Sequence, residues 1–274
     1  MRRMRLVIIA IVAGTIFILL LSFFSFKNRQ IVIASRAANK GVSLNELILL
    51  AKTAEEKNEL LQEKDAYKRL IDEFPSNEQV ATWQKKLGDL NMRIIFSSIA
   101  YPSCKVYEVG SGDTLAKIAK QFNTTVELIT RSNNLSSDRI LPGRKLKIWT
   151  APFTLVIDKS QNILILKSNE EILKTYIVST GMNNSTPAGT FKIINKLTNP
   201  VWYKPGVVLP PESPENILGS RWLGFDLSDY GIHGTTDPGS IGKQATQGCI
   251  RMLNQEVEEL YSILPIGTEV TIID

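Results

Sequence analysis

The chain has 274 residues, enough for two or three compact units, with 43% hydrophobic and 22% charged side chains. Its net charge of +5 would suit a nucleic-acid binder. Five cations and no acid fall within residues 1–30, however, and the remainder, with 27 basic and 27 acidic residues, is formally neutral. A neutral body lacks the basic face that a phosphate backbone requires, so nucleic acid is excluded as a partner.

Leu6 to Phe26 is a run of 21 residues without a charge, long enough to cross a hydrocarbon core of about 30 Å at about 1.5 Å per residue. A cleaved signal peptide would carry a shorter apolar run, about 7–15 residues, ending in small residues. Phe23-Phe24-Ser25-Phe26-Lys27 makes a poor cleavage site. Residues 1–30 are therefore expected to be an uncleaved anchor, with residues 6–26 in the inner membrane. Arg2, Arg3 and Arg5 nearly balance Lys27 and Arg29, which gives slight support to a cytoplasmic N-terminus. The expected protein is a single-pass cell-membrane protein with an extracytoplasmic, periplasmic body. The two cysteines suit an oxidising compartment. Cys104, beside Pro102, reads as an incidental linker thiol and is assigned no role.

Residues 31–103 read as a helical spacer made of two helices. Ser43-Leu-Asn-Glu46 and Ser76-Asn-Glu-Gln79 both fit capping boxes. The first helix runs from about Leu47 to Phe74. In the second, Val80, Trp83, Leu87, Leu90 and Ile94 recur every three or four residues and form one apolar stripe. The pair resembles a single tetratricopeptide-like hairpin, and it serves either as a spacer or as a partner-binding element.

Residues 104–150 read as a βααβ unit. A short strand ends at Gly110, Asp113 is placed to cap a helix, and Thr124-Thr-Val-Glu127 opens a second helix as a capping box. Leu141-Pro-Gly-Arg144 turns the chain into a strand over Lys145 to Trp149. Tyr107-x-Val, Gly112-Asp-Thr-Leu115, Asn133-x-Leu135 and Pro142-Gly143 closely resemble the LysM module. The resemblance implies binding of N-acetylglucosamine-containing glycans through Gly112, Asp113, Thr114, Ile140, Leu141, Pro142 and Gly143. The same loop residues also suit turn and cap formation.

After Pro152 the pattern changes to period two. Phe153 to Asp158, Asn162 to Lys167 and Glu171 to Ser179 read as an antiparallel meander. Pro187 to Pro214 holds six of the twelve prolines, with Trp202 and Tyr203 among them, and reads as an irregular lid over a groove. Asn254 to Leu264 should be a capped amphipathic helix, and Val270 to Ile273 a closing strand. Residues 151–274 are thus a mostly β domain with one or two helices, and the whole chain is multidomain α+β.

The segment Ile232 to Met252 contains the only histidine, His233, and one of the two cysteines, Cys249. A thiol with an ordinary pKa of about 8.5 needs a base or cationic neighbour to act as a nucleophile, and imidazole suits that role near neutral pH. The two residues are sixteen apart, which places them on two elements joined by the glycine-bearing loop Pro238 to Gly242. Backbone N–H groups around Gly248 and Cys249 are candidate oxyanion donors. No Asp or Asn stands out as a third, orienting member. Arg251 has a planar fork suited to a substrate carboxylate or to a structural ion pair.

His233-Gly-Thr and Thr246-x-Gly-Cys-Ile-Arg251 resemble the signature of the L,D-transpeptidases, the YkuD family. Tyr176-Ile-Val-Ser-Thr-Gly181 and Thr186-Pro-Ala-Gly-Thr-Phe191 resemble two further stretches of that family. One position departs: Gln247 stands where the family usually has a second histidine. The resemblance implies that Cys249 is the nucleophile, that His233 is the general base, and that the backbone carbonyl of Gly234 orients its ring. It makes Thr246, Gln247 and Arg251, with Trp202 and Tyr203 from the lid, the expected substrate-binding residues. The implied reaction is attack on the L,D bond of a peptidoglycan stem tetrapeptide and transfer of the acyl group to an amine, a 3→3 cross-link in cell-wall biosynthesis. Neither metal nor cofactor is expected. Two alternatives stand beside it: a non-catalytic peptidoglycan-binding protein, and an L,D-carboxypeptidase or endopeptidase at the same site.

Overall fold

The computed structural model describes residues 42–204 and 206–274. The expected span over residues 6–26 lies outside them. Among the described residues, no helix is long and apolar enough to cross a membrane.

The spacer has three helices where two were expected. Helix α1 (Leu44–Glu56) starts with the anticipated capping box: Ser43 N–H donates to Glu46 Oε2 at 2.7 Å, and Glu46 N–H to Ser43 Oγ at 3.3 Å. The chain then turns at Asn58, which takes a left-handed φ of 55°, and restarts as α2 (Leu60–Glu73). The expected long helix ignored that break, to which asparagine is suited because its short amide tolerates the left-handed region. Helix α3 (Val80–Phe96) has no side-chain cap. The expected box at Ser76 does not form, and Asn77 Oδ1 accepts the Gln79 N–H instead.

The βααβ unit appears as expected. Strand β1 (Cys104–Glu108) pairs antiparallel with β2 (Lys145–Trp149) around α4 (Leu115–Gln121) and α5 (Val126–Ser132). The caps are shifted by one residue. Thr114 accepts from Lys117 N–H and Thr125 from Leu128 N–H, while Asp113 binds Gly110 N–H and Tyr107 OH, each at 2.7 Å. The unit has its own small core of Val109, Leu115, Ile118, Ala119, Ile129, Leu146 and Ile148.

The C-terminal domain is built on an eight-stranded sheet. The expected meander is β3 (Phe153–Asp158), β4 (Ile163–Ser168) and β5 (Glu171–Ile177). The closing strand β14 (Glu269–Ile273) runs parallel to β3. On its other side lies β7 (Gly189–Thr198), followed by β10 (Arg221–Phe225), β11 (Gly231–His233) and β13 (Ile250–Arg251). The segment expected to be an irregular lid is therefore largely strand. Its first third is β7, a central strand, and only the later part forms the small hairpin of β8 (Trp202–Lys204) and β9 (Val207–Leu209). A separate short parallel pair is formed by β6 (Thr180–Gly181) and β12 (Gln244–Thr246).

Helix α6 (Asn254–Ile263) packs Val257, Leu260 and Ile263 into one core with Leu223, Ile232 and Ile250. Strand residues alternate between two faces. With Leu223, Ile232 and Ile250 turned to the core, Trp222, Gly231, His233, Cys249 and Arg251 face the other way. That second face carries the candidate site.

Candidate active site

Strands β11 and β13 run parallel, with Ile232 opposite Ile250 and His233 opposite Arg251. Cys249, just before β13, therefore lies level with Gly231. Both expected catalytic side chains sit on one face of adjacent strands, joined by the loop predicted to connect them. Gly248 holds a φ of +136°, and a Cβ there would stand 2.6 Å from the Tyr230 ring. Only glycine permits this approach.

His233 is 2% exposed. Its Nδ1 lies 2.7 Å from the Gly234 carbonyl oxygen, as expected for a backbone orienter. A carbonyl can only accept, so Nδ1 carries the proton and Nε2 is left as the basic nitrogen. Burial lowers the imidazole pKa to about 4 despite that bond, and the charge of Arg251 acts in the same direction. The Cys249 Sγ donates to the Asp229 carbonyl at 3.3 Å. Burial raises the thiol to about 11; the Gly231 N–H lowers it, Asp229 raises it, and Arg251 lowers it. At neutral pH the resting pair is thus an uncharged thiol and an uncharged imidazole.

The remaining expected residues fall into different roles. Gly248 N–H, an expected oxyanion donor, donates to Thr246 Oγ1 at 3.1 Å. Thr246 is buried, and its hydroxyl also donates to the Cys249 carbonyl at 2.7 Å. It braces the turn from Thr246 to Cys249 from within. Arg251 is buried, with Nη1 donating to Ser240 Oγ at 2.9 Å and Nε without a hydrogen-bond partner. It ties β13 to the loop that links His233 to Cys249. Gln247 is exposed beside Gly248. Trp202 and Tyr203 lie on the β8–β9 hairpin, where Tyr203 is 73% exposed. Asn216 anchors that hairpin by donating to Pro200 O and Leu209 O.

In the βααβ unit, the two expected glycan loops lie together, because Gly143 N–H donates to Val109 O at 2.8 Å. Gly112 and Gly143 take φ of +81° and +82°, so the turns need glycine. Asp113 and Thr114 are occupied in turn and cap, while Leu141, Pro142 and Gly143 are exposed and Ile140 is half-buried.

Several contributors were not anticipated. Asn254, expected within a capped helix, instead reaches the histidine loop. Its Oδ1 accepts from Ser220 N–H and Thr235 N–H, and its Nδ2 donates to Thr235 O. This fixes the backbone immediately after Gly234. Thr186 accepts from Gly181 N–H and donates to Gly248 O, each at 2.8 Å. The Tyr176–Gly181 and Thr186–Phe191 stretches thus meet at Gly248. The sequence signal for Thr186 was its place in a recognisable block; Asn254 offered none beyond following Arg251-Met-Leu. Among the described residues, no cluster of His, Cys, Asp and Glu could hold a metal ion.

The family model for the L,D-transpeptidase catalytic domain (YkuD) matches residues 152–272, and that for the LysM domain matches residues 107–149. "Putative L,D-transpeptidase YkuD" of Bacillus subtilis is 35% identical over 173 residues, covering 61% of this chain and 97% of that protein. Its namesake in Bacillus licheniformis is 34% identical over 175 residues, covering 61% and 98%. "Putative L,D-transpeptidase YqjB" of Bacillus subtilis is 39% identical over 126 residues, covering 44% and 70%. Among solved structures, the L,D-transpeptidase from Mycobacterium smegmatis is similar at 21% identity and a TM-score of 0.38, covering 49% of this chain and 65% of that one. That likeness is slight, and the assignment rests on the sequence relatives. Two of these relatives are spanned almost end to end, and on that ground the chain belongs to the L,D-transpeptidase family.

Proposed function

We propose that this protein is a peptidoglycan L,D-transpeptidase in which Cys249 is the nucleophile and His233 the general base. The observation that carries the reading is the β11–β13 register, which places Cys249 level with Gly231, one strand from a histidine whose Nδ1 is committed to Gly234 O. Because both groups are neutral at rest, the thiol proton moves to His233 Nε2 as Cys249 Sγ attacks the carbonyl of the L,D amide. The oxyanion takes its donor from the Cys249 N–H, since that of Gly248 is bound to Thr246. The amide C–N bond then breaks, His233 gives its proton to the leaving D-amino acid nitrogen, and a thioester remains. An amine of a neighbouring stem attacks the thioester carbonyl; its proton passes through His233 to the departing thiolate, completing a 3→3 cross-link. Arg251 is assigned to the loop rather than to a substrate carboxylate, because it is buried against Ser240. The LysM loops around Gly112 and Leu141 to Gly143 bind the glycan of the same polymer. Residues 6–26 anchor the protein, with the catalytic body on the extracytoplasmic side.

A carbapenem incubated with the full chain should add its mass to Cys249. Cys249→Ala should gain nothing, and His233→Gln should slow the reaction by at least about a hundredfold, the usual worth of a general base. A wild type that stays unmodified from pH 6 to 9 would instead mark a peptidoglycan-binding protein with a silent site.

A further inference from the structure

We propose that Trp222, held in place by Asn195, is the positioning residue that sets the plane of the His233 ring. The inference concerns the base of the reaction proposed above and in that sense rests on it. Trp222 pairs directly with His233 across β10 and β11. The indole and imidazole centroids are 6.1 Å apart with their planes 17° from parallel. Trp222 is half-buried and lies on the face turned away from the core, so core packing does not account for it.

The indole lies in a seat cut for it. Gly224 and Gly231 face each other in the next register line of the same strands. A Cβ at Gly224 would stand 2.6 Å from Trp222 Nε1, and one at Gly231 would stand 2.9 Å from Trp222 Cζ2. Any side chain at either position would evict the ring. The free end is pinned from β7, where Asn195 Oδ1 accepts from Trp222 Nε1 at 2.9 Å. The indole is thus fixed at both ends and lies flat beside the histidine.

The histidine needs such a wall. Its bond to Gly234 O fixes one ring atom, and the tilt of the ring about that contact is set by what packs against its faces. A parallel aromatic plane limits that tilt, because tilting the ring would lose the stacked contact. The electron-rich indole face also favours the imidazolium that forms when the thiol proton arrives, at a separation near the limit of about 6 Å for such attraction. The residue on the other flank works the opposite way, since Arg251, the partner of His233 across β13, carries positive charge and disfavours the imidazolium.

The test exploits the fact that His233 is the only histidine. Long-range proton–nitrogen spectra of the full chain contain one imidazole pattern, which for the wild type should show a single tautomer protonated at Nδ1. Trp222→Leu should give a mixture of both neutral tautomers and slow carbapenem acylation at saturating ligand at least tenfold, with the half-saturating concentration unchanged. Trp222→Phe, which restores a ring without the N–H, should recover most of both. Asn195→Ala alters only an exposed residue and should show the same effects in weaker form, so the proposal remains testable if Trp222→Leu does not fold. A folded Trp222→Leu protein that keeps one Nδ1 tautomer overturns the proposal, whether or not acylation slows. An inert wild type would bring down the transpeptidase reading alone, since the tautomer is read without turnover.

Discussion

At the scale of single residues, the site departs from the usual picture of a pre-formed thiolate. Burial raises the Cys249 thiol to about 11 and lowers His233 to about 4, which favours the uncharged form of each near neutral pH. The sign of the pH dependence follows. Thiolate is the reactive form towards a simple alkylating agent, and below the thiol's pKa its fraction rises about tenfold per pH unit. Iodoacetamide labelling of Cys249, read by peptide mass, should therefore climb steadily from pH 7 to 9.5. A flat rate between pH 5 and 8 would instead reveal a resting thiolate–imidazolium pair. In the proposed reaction, Cys249 Sγ would have to leave the Asp229 carbonyl before its proton could pass to His233. The proposed dyad could be picked out in the sequence because its residue types are rare: one histidine and two cysteines leave few combinations. The residues that hold it could not. Asn254 acts through backbone groups 19 and 34 positions away, and Trp222 reaches His233 only through strand register. Neither relation leaves a local pattern. The bond from Gly248 N–H to Thr246 Oγ1 was not legible for the same reason, since it depends on how a tight loop closes.

At the scale of elements, the helical spacer is joined to the catalytic sheet rather than standing apart from it. Helix α3 lies against the edge strand β5, where Asn91 Nδ2 donates to Leu173 O at 2.7 Å. Gly88 makes room for this, since a Cβ there would meet Lys174 Cγ at 3.0 Å. Lys174 then binds three elements together: its Nζ lies 2.9 Å from Asp89 on α3 and 2.9 Å from Glu259 on α6. Burial works against its charge, and the bonds to Glu259 and Asp89 outweigh that and raise its pKa. Nearby Glu256 is raised by burial. Lys174→Met should therefore leave three crowded carboxylates and cost about 1–3 kcal/mol near neutral pH, somewhat less than breaking a fully buried pair. The difference from wild type in urea melts should shrink as pH falls and Glu256, raised by burial, takes up its proton; a difference independent of pH would assign the loss to packing alone. None of this docking was legible from periodicity, which reports that a helix has an apolar face but not what covers it. The period-two pattern located β3, β4 and β5 well because each alternates over six or seven residues. It missed β7, whose Gly189 and nearby prolines mimic a loop, because sheet neighbours on both sides override the local signal.

At the scale of the whole molecule, the LysM unit is built into the catalytic domain, and this bears on how a glycan strand would be presented to Cys249. Helix α5 has two working faces: Ile129 enters the LysM core, while its neighbour Leu128, 1% exposed, belongs to the catalytic core. Thr125 Oγ1 donates to Ser262 O on α6, and Arg131 reaches Ser262 Oγ at 3.2 Å while lying 3.4 Å over the Phe96 ring. Lys147 of β2 is buried and donates to Ile94 O at 2.8 Å and Ser97 O at 2.7 Å, satisfying carbonyls at the end of α3. Trp149 stacks between Tyr101 and Phe153, so the junction is packed aromatic surface rather than a free tether. Under the proposed function, a glycan held at the Gly112 and Gly143 turns would then lie at a set distance from Cys249, which would restrict the stem peptides of that strand able to reach it. Rigid coupling has a thermodynamic signature. Leu128→Ala, made in a LysM helix, should cost about 2–4 kcal/mol, as for other large-to-small core changes, and the loss should be felt in the catalytic sheet. Hydrogen exchange of the β3, β4 and β14 amides should accelerate in that variant by the factor matching the loss of global stability. If those amides kept wild-type protection while only the β1 and β2 amides exchanged faster, the LysM unit would be an independent module and the fixed spacing to Cys249 would not hold.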